Sequence, residues 1–309
     1  MKFKTTAIAM AVAGTVAAPV AVQAGADEIY ASARVGVWNV DQGGTSQWDV
    51  RSFSSRFGAK GETDLGNGLS GFGRYEWDVD FNNDLGEDDI SVRHRYVGLK
   101  GGFGSVTLGQ TYHTFYNFVV GPTDIPWWHS GYAMVNYRGR TDNAITYAGG
   151  TGAFNFGASV YMTPDAEEED FDQFEVGASF GIGDITIGAA LQSTATDTTH
   201  GSAGNDEDII GLVVSGINAG PVGLGFGYQQ QDDDDSFLVQ VDVASFYYHG
   251  EFLSLDATDQ DRVSHTFGYT HSLGRKTTMY FELNDIDNDT GDSDDDRTAL
   301  MAVLKYDII

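Results

Sequence analysis

Apolar and polar residues alternate in short stretches of this chain, about sixteen times between Ala24 and Ile309. In the first clear stretch one row is apolar and the other is mixed: Ile29, Ala31, Ala33, Val35 and Val37 against Tyr30, Ser32, Arg34, Gly36 and Trp38. A period of two indicates a β-strand with two unlike faces. Many such strands, separated by Gly, Asn and Asp, predict a closed antiparallel sheet that meets lipid outside and water inside.

Residues 1–24 are predicted to be a secretory signal peptide. Lys2 and Lys4 form its positive start, Ala7 to Ala18 its apolar core, and Val22-Gln23-Ala24 its cleavage pattern. The apolar core is too short to span a bilayer. Residues 25–309 are predicted to form one domain, because the chain has only five prolines and no Gly/Ser-rich linker. The leader carries two basic residues and no acidic one, so its removal changes the formal net charge from −28 to −30.

The sequence lacks features that several classes of protein require. The chain contains 45 acidic and 17 basic residues, which argues against nucleic-acid binding, because phosphate contacts need clustered Lys and Arg. It contains no cysteine, and its seven histidines form no zinc-binding motif. In the acidic run Asp285 to Asp296, Thr290 stands where a calcium loop needs glycine, so we expect a solvated loop there, with weak divalent bridging to lipopolysaccharide as the alternative. We expect no enzyme activity, no metal and no cofactor.

The connections between the predicted strands differ in character. Some are short and Gly-rich: Gly101 to Gly104, Gly149 to Gly152, Gly181 to Asp184, and Ser272 to Arg275. Others are longer and acidic: Glu167 to Asp172, Thr194 to Asp208, Asp232 to Asp235, Asp256 to Asp261, and Asp287 to Asp296. Short turns at one end and longer loops at the other are typical of outer-membrane barrels.

Sixteen strands are predicted, an even number as in single-chain barrels. Their ranges are 28–38, 47–60, 69–81, 89–101, 104–112, 142–149, 153–162, 173–181, 184–193, 207–216, 222–231, 236–243, 245–256, 262–272, 277–287 and 296–308. No clear turn separates the two strands within 236–256. The connection from Tyr112 to Arg140 has no lasting alternation and is too apolar for a solvated loop, so we expect it to pack inside the barrel.

Three segments resemble the general bacterial porins. SRFGAKGETDLGNGLSGFGRYEW (Ser55 to Trp77) is similar to their second and third strands, and RYVGLKGGFGSVTLGQTY (Arg95 to Tyr112) to their fourth and fifth. GRTDNAITYAGG (Gly139 to Gly150) resembles the strand after their constriction loop. The resemblance implies an all-β fold: a 16-stranded antiparallel transmembrane β-barrel with an inward-folded constriction loop, here residues 112–140, assembled as a homotrimer.

Strand parity identifies the inward-facing basic residues. Outward Phe53, Ser55, Phe57 and Ala59 put Arg56 inside, and outward Tyr75 and Trp77 put Arg74, Glu76 and Asp78 inside. A register that turns Tyr96 outward puts Arg93 and Arg95 inside. By resemblance, Arg34, Arg56 and Arg93 match basic wall positions, Glu76 matches a lumen acid, and Asp124 matches a carboxylate of the constriction loop. Basic wall and acidic loop together would set a transverse field across a narrow wet passage.

The chain departs from the porin pattern at three places. Trp127-Trp128-His129 stands where a second loop carboxylate is common, and Ala148 stands where another wall arginine is common. The two tryptophans either pack the loop against the wall, which we favour, or offer a stacking surface to sugars and aromatic solutes. The chain ends in Ile309, where the family usually has an aromatic residue that the assembly machinery reads.

The sequence therefore predicts an outer-membrane porin of a Gram-negative bacterium, in contact with lipid and lipopolysaccharide, that passes small hydrophilic solutes and ions. The acidic loops favour cations at the mouth and the basic wall favours anions, and we expect a mild cation preference. One alternative is a substrate-specific channel for a saccharide or an aromatic solute. The other is a secreted acidic β-sandwich or adhesin.

Overall fold

The computed structural model describes residues 23–24, 27–80, 90–135, 137, 139–162, 173–194, 208–256, 260–288 and 295–309. Nearly all of the predicted leader lies outside these residues. So do all or most of the predicted loops Glu167–Asp172, Thr194–Asp208 and Asp287–Asp296.

After a two-residue strand, Gln23–Ala24, sixteen strands follow one another through the described ranges and form the wall, and two of them are interrupted. They are β1 Glu28–Gln42, β2 Thr45–Ser52 with Ser55–Gly66, β3 Leu69–Val79, β4 Ile90–Gly101, β5 Gly104–Tyr112, β6 Arg140–Thr141 with Ala144–Thr151, β7 Phe154–Tyr161, β8 Gln173–Ile182, β9 Ile185–Thr194, β10 Ile209–Ala219, β11 Val222–Gln231, β12 Asp234–Val243, β13 Phe246–Leu255, β14 Gln260–Ser272, β15 Thr277–Asp287 and β16 Arg297–Asp307.

The sheet closes on itself. Each strand pairs antiparallel with the next, and β16 pairs with β1 from Arg297 opposite Gln42 to Asp307 opposite Ser32. A closed sheet leaves no strand edge with unpaired backbone groups, which is the condition for crossing lipid with strands. The predicted closed barrel is confirmed, and an open-edged sandwich is excluded.

The two faces of the wall differ as the alternation predicts. Large apolar side chains stand exposed on the outer face of nearly every strand, among them Ile29, Val50, Val97, Leu108, Ile187, Leu212, Phe237 and Leu300. The buried core lies on the inner side, where Phe115 and Val119 of the β5–β6 connection are almost fully covered. Among the described residues, no helix is long and apolar enough to cross a membrane.

The predicted strand ranges agree closely with the observed ones, and β5, β11 and β15 agree at both ends. The missing turn within 236–256 is Ala244-Ser245, where Ala244 has a φ of 54°. Alanine is not a usual residue for a left-handed turn position, so no sequence signal marked it. Asp232-Asp233 is a two-residue turn rather than the start of a longer loop, because Asp234 already belongs to β12.

Two bulges change which side chains face inward. Between the pairs Val35–Ser52 and Ser32–Arg56, β2 has one residue more than β1, and Ser54 has a φ of 59°. The second bulge lies in β4, where Arg93 is the extra residue between partners of Glu76 and Trp77. A bulge adds one residue to one strand and so reverses the alternation beyond it. The prediction that Phe53 faces outward is wrong for this reason, since Phe53 is fully buried on the inner side.

Candidate functional site: the inner wall and the inserted segment

The connection between β5 and β6, residues 113–139, is hereafter the inserted segment. Its described residues, 113–135, 137 and 139, lie against the inner face of the wall. It begins beside β7, where the Thr114 backbone N–H donates to Ser159 Oγ at 3.1 Å. A single π-helical turn, Tyr116–Val120, then packs against β9 and β10. The segment reaches β15 at Trp127 and returns past β13 and β12.

Three glutamates of the inner wall accept hydrogen bonds from backbone N–H groups of the inserted segment. Glu175 on β8 accepts from Phe115 at 2.7 Å. Glu251 on β13 accepts from Gly131, Tyr132 and Ala133 at 2.5–3.0 Å. Glu282 on β15 accepts from Trp127, Trp128 and His129. All three carboxylates are at most 1% exposed, so these bonds replace the water that each charge would otherwise need.

Apolar packing fixes the other face of the π-helical turn. Phe115 and Val119 join Ala190 and Ile209 in a buried cluster. At Gly211 on β10, a Cβ atom would stand 2.7 Å from Phe115 Cζ and from Val119 Cγ1. The segment therefore approaches the wall at a distance that only glycine permits there.

The tip of the inserted segment contacts the wall through aromatic rings. Trp127 stacks on Tyr280 of β15 with ring centroids 4.4 Å apart, and Trp128 meets the edge of Phe53 at 5.1 Å. Met301 and Val303 of β16 complete this cluster. These contacts support the packing interpretation of the two tryptophans over the stacking surface.

Four arginines occupy the inner wall on four consecutive strands: Arg34, Arg56, Arg74 and Arg93 on β1 to β4. Acidic side chains pair with two of them. Arg74 Nη2 lies 2.5 Å from Glu76 Oε2, and Arg93 lies 3.1 Å from Glu76 Oε1 and 3.0 Å from Asp78 Oδ2. Tyr30 also donates its hydroxyl to Glu76 at 2.8 Å. Glu76 and Asp78, the acidic side chains of this part of the wall, are thus paired with Arg74 and Arg93.

Arg34 and Arg56 are not paired in this way. Within the described residues, neither guanidinium has a carboxylate oxygen within ion-pair distance, and Arg56 Nε is buried without a hydrogen-bond partner. Arg34 donates from Nε to Ser32 Oγ at 3.1 Å, and its guanidinium lies 5.8 Å from the ring centre of Trp127. These two arginines give the inner wall beside β1 and β2 an uncompensated positive charge.

Asp124 is the acidic side chain of the inserted segment that the sequence singled out. Its oxygens accept from the Tyr116 hydroxyl and from Ser130 Oγ, both at 2.9 Å. Burial and the adjacent Asp124 carboxylate raise the pKa of Tyr116, so the phenol stays protonated and donates. The segment therefore orients Asp124 with its own side chains rather than with a wall arginine.

Two predicted site residues lie elsewhere. Arg95 faces outward, because the bulge at Arg93 reverses the parity and Tyr96 faces inward against Phe72. Its Nη2 lies 3.2 Å from Asp142 Oδ2 on the outer face. His129, in the segment where the family often has a second carboxylate of the constriction, is fully buried, with Nδ1 2.8 Å from Glu282 Oε2. It holds the inserted segment and has no surface that a solute can reach.

Sequence reasoning missed the glutamates that hold the segment. Each stands alone at an inward position of a strand, as Glu251 does in FYYHGEFLSL (Phe246–Leu255). An inward acid in a strand that contains no lysine or arginine is the one available signal. Sequence reasoning also missed Arg51, which faces inward with its guanidinium 3.8 Å from the ring centre of Trp38. Among the described residues, no group of three or more His, Asp or Glu is placed to hold a metal ion.

Comparison with known proteins identifies the family. The Gram-negative porin family matches residues 5–291 of the chain. The chain belongs to the Gram-negative porin family. Outer membrane porin C of Enterobacter cloacae is 24% identical over 308 residues, covering 81% of this chain and 84% of its own. Outer membrane protein U of Vibrio vulnificus is 27% identical over 219 residues, which span 68% of this chain but only 55% of the Vibrio protein.

Solved porins share the fold. The anion-selective porin from Comamonas acidovorans superposes with a TM-score of 0.71 at 19% identity, covering 93% of this chain and 100% of that one. The Salmonella typhi OmpF complex with daunomycin gives a TM-score of 0.72 at 15% identity, covering 91% and 97%. Family membership places this porin in the outer membrane of a Gram-negative cell.

Proposed function

We propose that this porin forms a water-filled channel through which small hydrophilic solutes and ions diffuse down their gradients. The observation that carries the proposal is a closed 16-stranded wall, apolar outside, whose charged inner face is partly covered by a segment tied to it by buried glutamates. No step of this transport needs a covalent reaction or an energy source.

The inserted segment acts as the constriction of this channel. It excludes solutes by size because it occupies part of the bore, and Asp124 with the wall arginines sets the field that a solute crosses. The wall residues of this constriction are Arg34, Arg56, Arg74, Arg93 and Glu76, and the segment contributes Asp124, Trp127 and Trp128. A mild cation preference remains our prediction at low salt, because the many acidic residues attract cations to the mouth.

Planar-bilayer recording of the purified protein tests the proposal. We expect stepwise increases in current that are ohmic at low voltage, with no ligand required. Closures in groups of three would accompany a homotrimer. A protein that leaves the bilayer current unchanged, or stays soluble without detergent, would contradict the channel.

We further propose a homotrimer whose contact face includes β4 to β6. Arg95 and Asp142 are 44% and 58% exposed on the outer face of this part of the wall, next to the apolar Val97 and Leu108. A charged pair facing lipid is unfavourable, whereas contact with a second subunit would cover it. Native gel migration and cross-linking measure the stability of the trimer. Arg95→Gln is expected to lower the temperature at which trimers dissociate.

We also propose that residues 1–24 are a signal peptide that is cleaved after Ala24. Gln23 and Ala24 pair with Asp64 and Thr63 at the end of β2, so cleavage after Ala24 would remove only this two-residue pairing from the described wall. N-terminal sequencing of the mature protein should begin at Gly25.

We also propose contacts between the acidic loops and lipopolysaccharide through divalent cations, measurable as loss of bound lipopolysaccharide on chelation.

A second candidate is a substrate-specific channel. The observation in its favour is the pair of half-buried tryptophans, with Arg34 beside Trp127. Such a channel would bind its solute saturably, and the ion current would fall as that solute is added. Absence of block by millimolar saccharide or aromatic acid would leave the general channel as the better account.

A further inference from the structure

A cavity of about 490 Å³ lies inside the wall at the end of the barrel where β1 begins and β16 ends. Basic side chains dominate its lining: Arg34, Arg56, Lys60, Arg74, Arg275, Lys276 and Lys305. The acidic side chains that line it are Glu28, Glu76 and Asp307. We call this cavity the basic basin. It is formed by strands β1 to β3 and β16 and by the turn between β14 and β15.

The charge of the basin is opposite to that of the protein. The chain has 45 acidic residues against 17 basic ones, yet seven basic and only three acidic side chains line this cavity. Basic side chains thus outnumber acidic ones in this cavity by four, although acidic residues outnumber basic ones in the chain. Low-dielectric walls concentrate such a field inside a cleft and raise the local concentration of counter-ions.

The acids of the basin are already occupied. Glu28 pairs with Lys60 at 2.9 Å, Glu76 with Arg74 at 2.5 Å, and Asp307 with Lys305 at 3.0 Å. In the part of the chain that the structure describes, the other four basic side chains have no ion pair: Arg34, Arg56, Arg275 and Lys276. Arg56 Nε is in addition buried without a partner. Lys276 Nζ donates to the Ile308 carbonyl oxygen, and Arg34 Nε to Ser32 Oγ, both at 3.1 Å, so these two have neutral acceptors only. All four side chains line the same cavity.

The donor set favours phosphate groups. Guanidinium presents a planar fork that matches phosphate oxygens in pairs, and ammonium adds a compact charge. The volume lies within the range of small-molecule sites, about 300–1,000 Å³. Uncharged sugars gain no charge pairing from such a lining.

We propose that the basic basin is a binding site for small anions that carry several phosphate charges. This rests on the proposed channel, in which the basin lies at the end with short turns, which is the periplasmic end of outer-membrane barrels. The basin shares Arg34, Arg56, Arg74 and Glu76 with the wall of the constriction and extends from there toward this end, so a solute that passes the inserted segment would enter it directly. The site would retain such anions briefly and so bias the flow of phosphorylated solutes relative to neutral ones of equal size.

The test uses the whole protein in planar bilayers, with inorganic tripolyphosphate as the probe. We expect saturable block of the ion current when tripolyphosphate is added on the periplasmic side, where the basin opens. Block should be much weaker when it is added on the other side. The triple variant Arg275→Gln, Lys276→Gln, Lys305→Gln should raise the half-blocking concentration roughly tenfold or more, since each charge-assisted contact contributes to binding. The single variant Lys276→Gln should raise it by about threefold under screening salt.

Lys100→Gln is the matched control. Lys100 belongs to the same end of the barrel and pairs with Glu62 at 2.6 Å, but it does not line the basin. Its block by tripolyphosphate should match that of the wild type. Equal block from both sides, or block unchanged in the triple variant, would overturn the proposal.

Calorimetric titration of the detergent-solubilised protein measures the same binding without a current. Binding that the triple variant weakens, in a protein that passes no ions, would refute the channel and keep the basin. An intact channel that binds no tripolyphosphate in either experiment would refute the basin and keep the channel.

Discussion

Two regions of the inner wall use charge in opposite ways. On β8, β13 and β15, Glu175, Glu251 and Glu282 are buried, and backbone N–H groups of the inserted segment satisfy them. On β1 and β2, Arg34 and Arg56 have no carboxylate partner among the described residues. The glutamates, whose hydrogen-bond partners are fixed, hold the inserted segment in place. An arginine that has no carboxylate partner is available to interact with a passing ion. The sign and the pairing of the inner charges thus divide the wall into an anchoring side and a solute-facing side.

The largest expected effect comes from breaking the anchoring side. Glu282→Ala leaves the N–H groups of Trp127, Trp128 and His129 without their acceptor, a loss of about 3–5 kcal/mol for a buried charged partner. We expect the unfolding temperature in detergent to fall by roughly 10 °C. The current should also become noisier as the tip of the inserted segment detaches.

Glu62→Ala is the control for this prediction. Glu62 pairs with Lys100 on a half-exposed part of the wall, so its removal should change stability by less than about 1 kcal/mol. Heated samples on gels and circular dichroism measure both variants. Equal stability of Glu282→Ala and wild type would show that the segment is held by other means.

A smaller effect is expected on the solute-facing side. Arg56→Gln removes one positive charge that has no ion-pair partner, so the ratio of potassium to chloride permeability should rise by about three- to tenfold. Stability should change little. Reversal potentials in a salt gradient measure the ratio, and Arg95→Gln, whose side chain lies on the outer face, should leave it unchanged. A ratio that Arg56→Gln does not alter would place the selective charge elsewhere.

Trp127→Ala separates packing from solute recognition. Loss of the stacked pair with Tyr280 should cost about 0.5–1.5 kcal/mol beyond the lost burial of the ring. The conductance should increase, because the tip of the inserted segment becomes smaller and less tightly held. Trp48→Ala, on the exposed outer face, should leave the conductance as it is. Saturable block of the wild type by millimolar maltose or benzoate, abolished in Trp127→Ala, would instead favour the substrate-specific channel.

The smallest effect concerns salt. The Debye length falls from about 10 Å at 0.1 M to about 3 Å at 1 M, so distant acidic residues lose their influence before the wall arginines do. The potassium-to-chloride permeability ratio should exceed one at 0.1 M and decrease as salt rises. Anion preference already at 0.1 M would contradict the mild cation preference.

Strand positions follow from the sequence because lipid demands an apolar row on every strand. The same alternation assigns Arg34, Arg56, Arg74 and Glu76 to the inner face. It fails at Phe53 and Arg95, since a bulge reverses parity without leaving a mark in the hydropathy pattern.

The anchors escaped prediction for a different reason. Glu282 meets the backbone of residues more than 150 positions away, and a backbone N–H carries no sequence signature. The basic basin escaped because the pairing of β16 with β1, which closes the barrel, brings Lys305 and the turn that carries Arg275 and Lys276 beside the basic residues of β1 to β3. Long-range closure, rather than any local motif, assembles both features.

The most direct test of the account places a single thiol on the inserted segment. The chain has no cysteine, so Asp124→Cys carries the only one, and wild type is a thiol-free control. If the segment narrows a water-filled bore, a bulky charged methanethiosulfonate reagent should reach this thiol and reduce the single-channel current irreversibly. Full modification without any change in current would show that residues 113–139 do not border the conducting path.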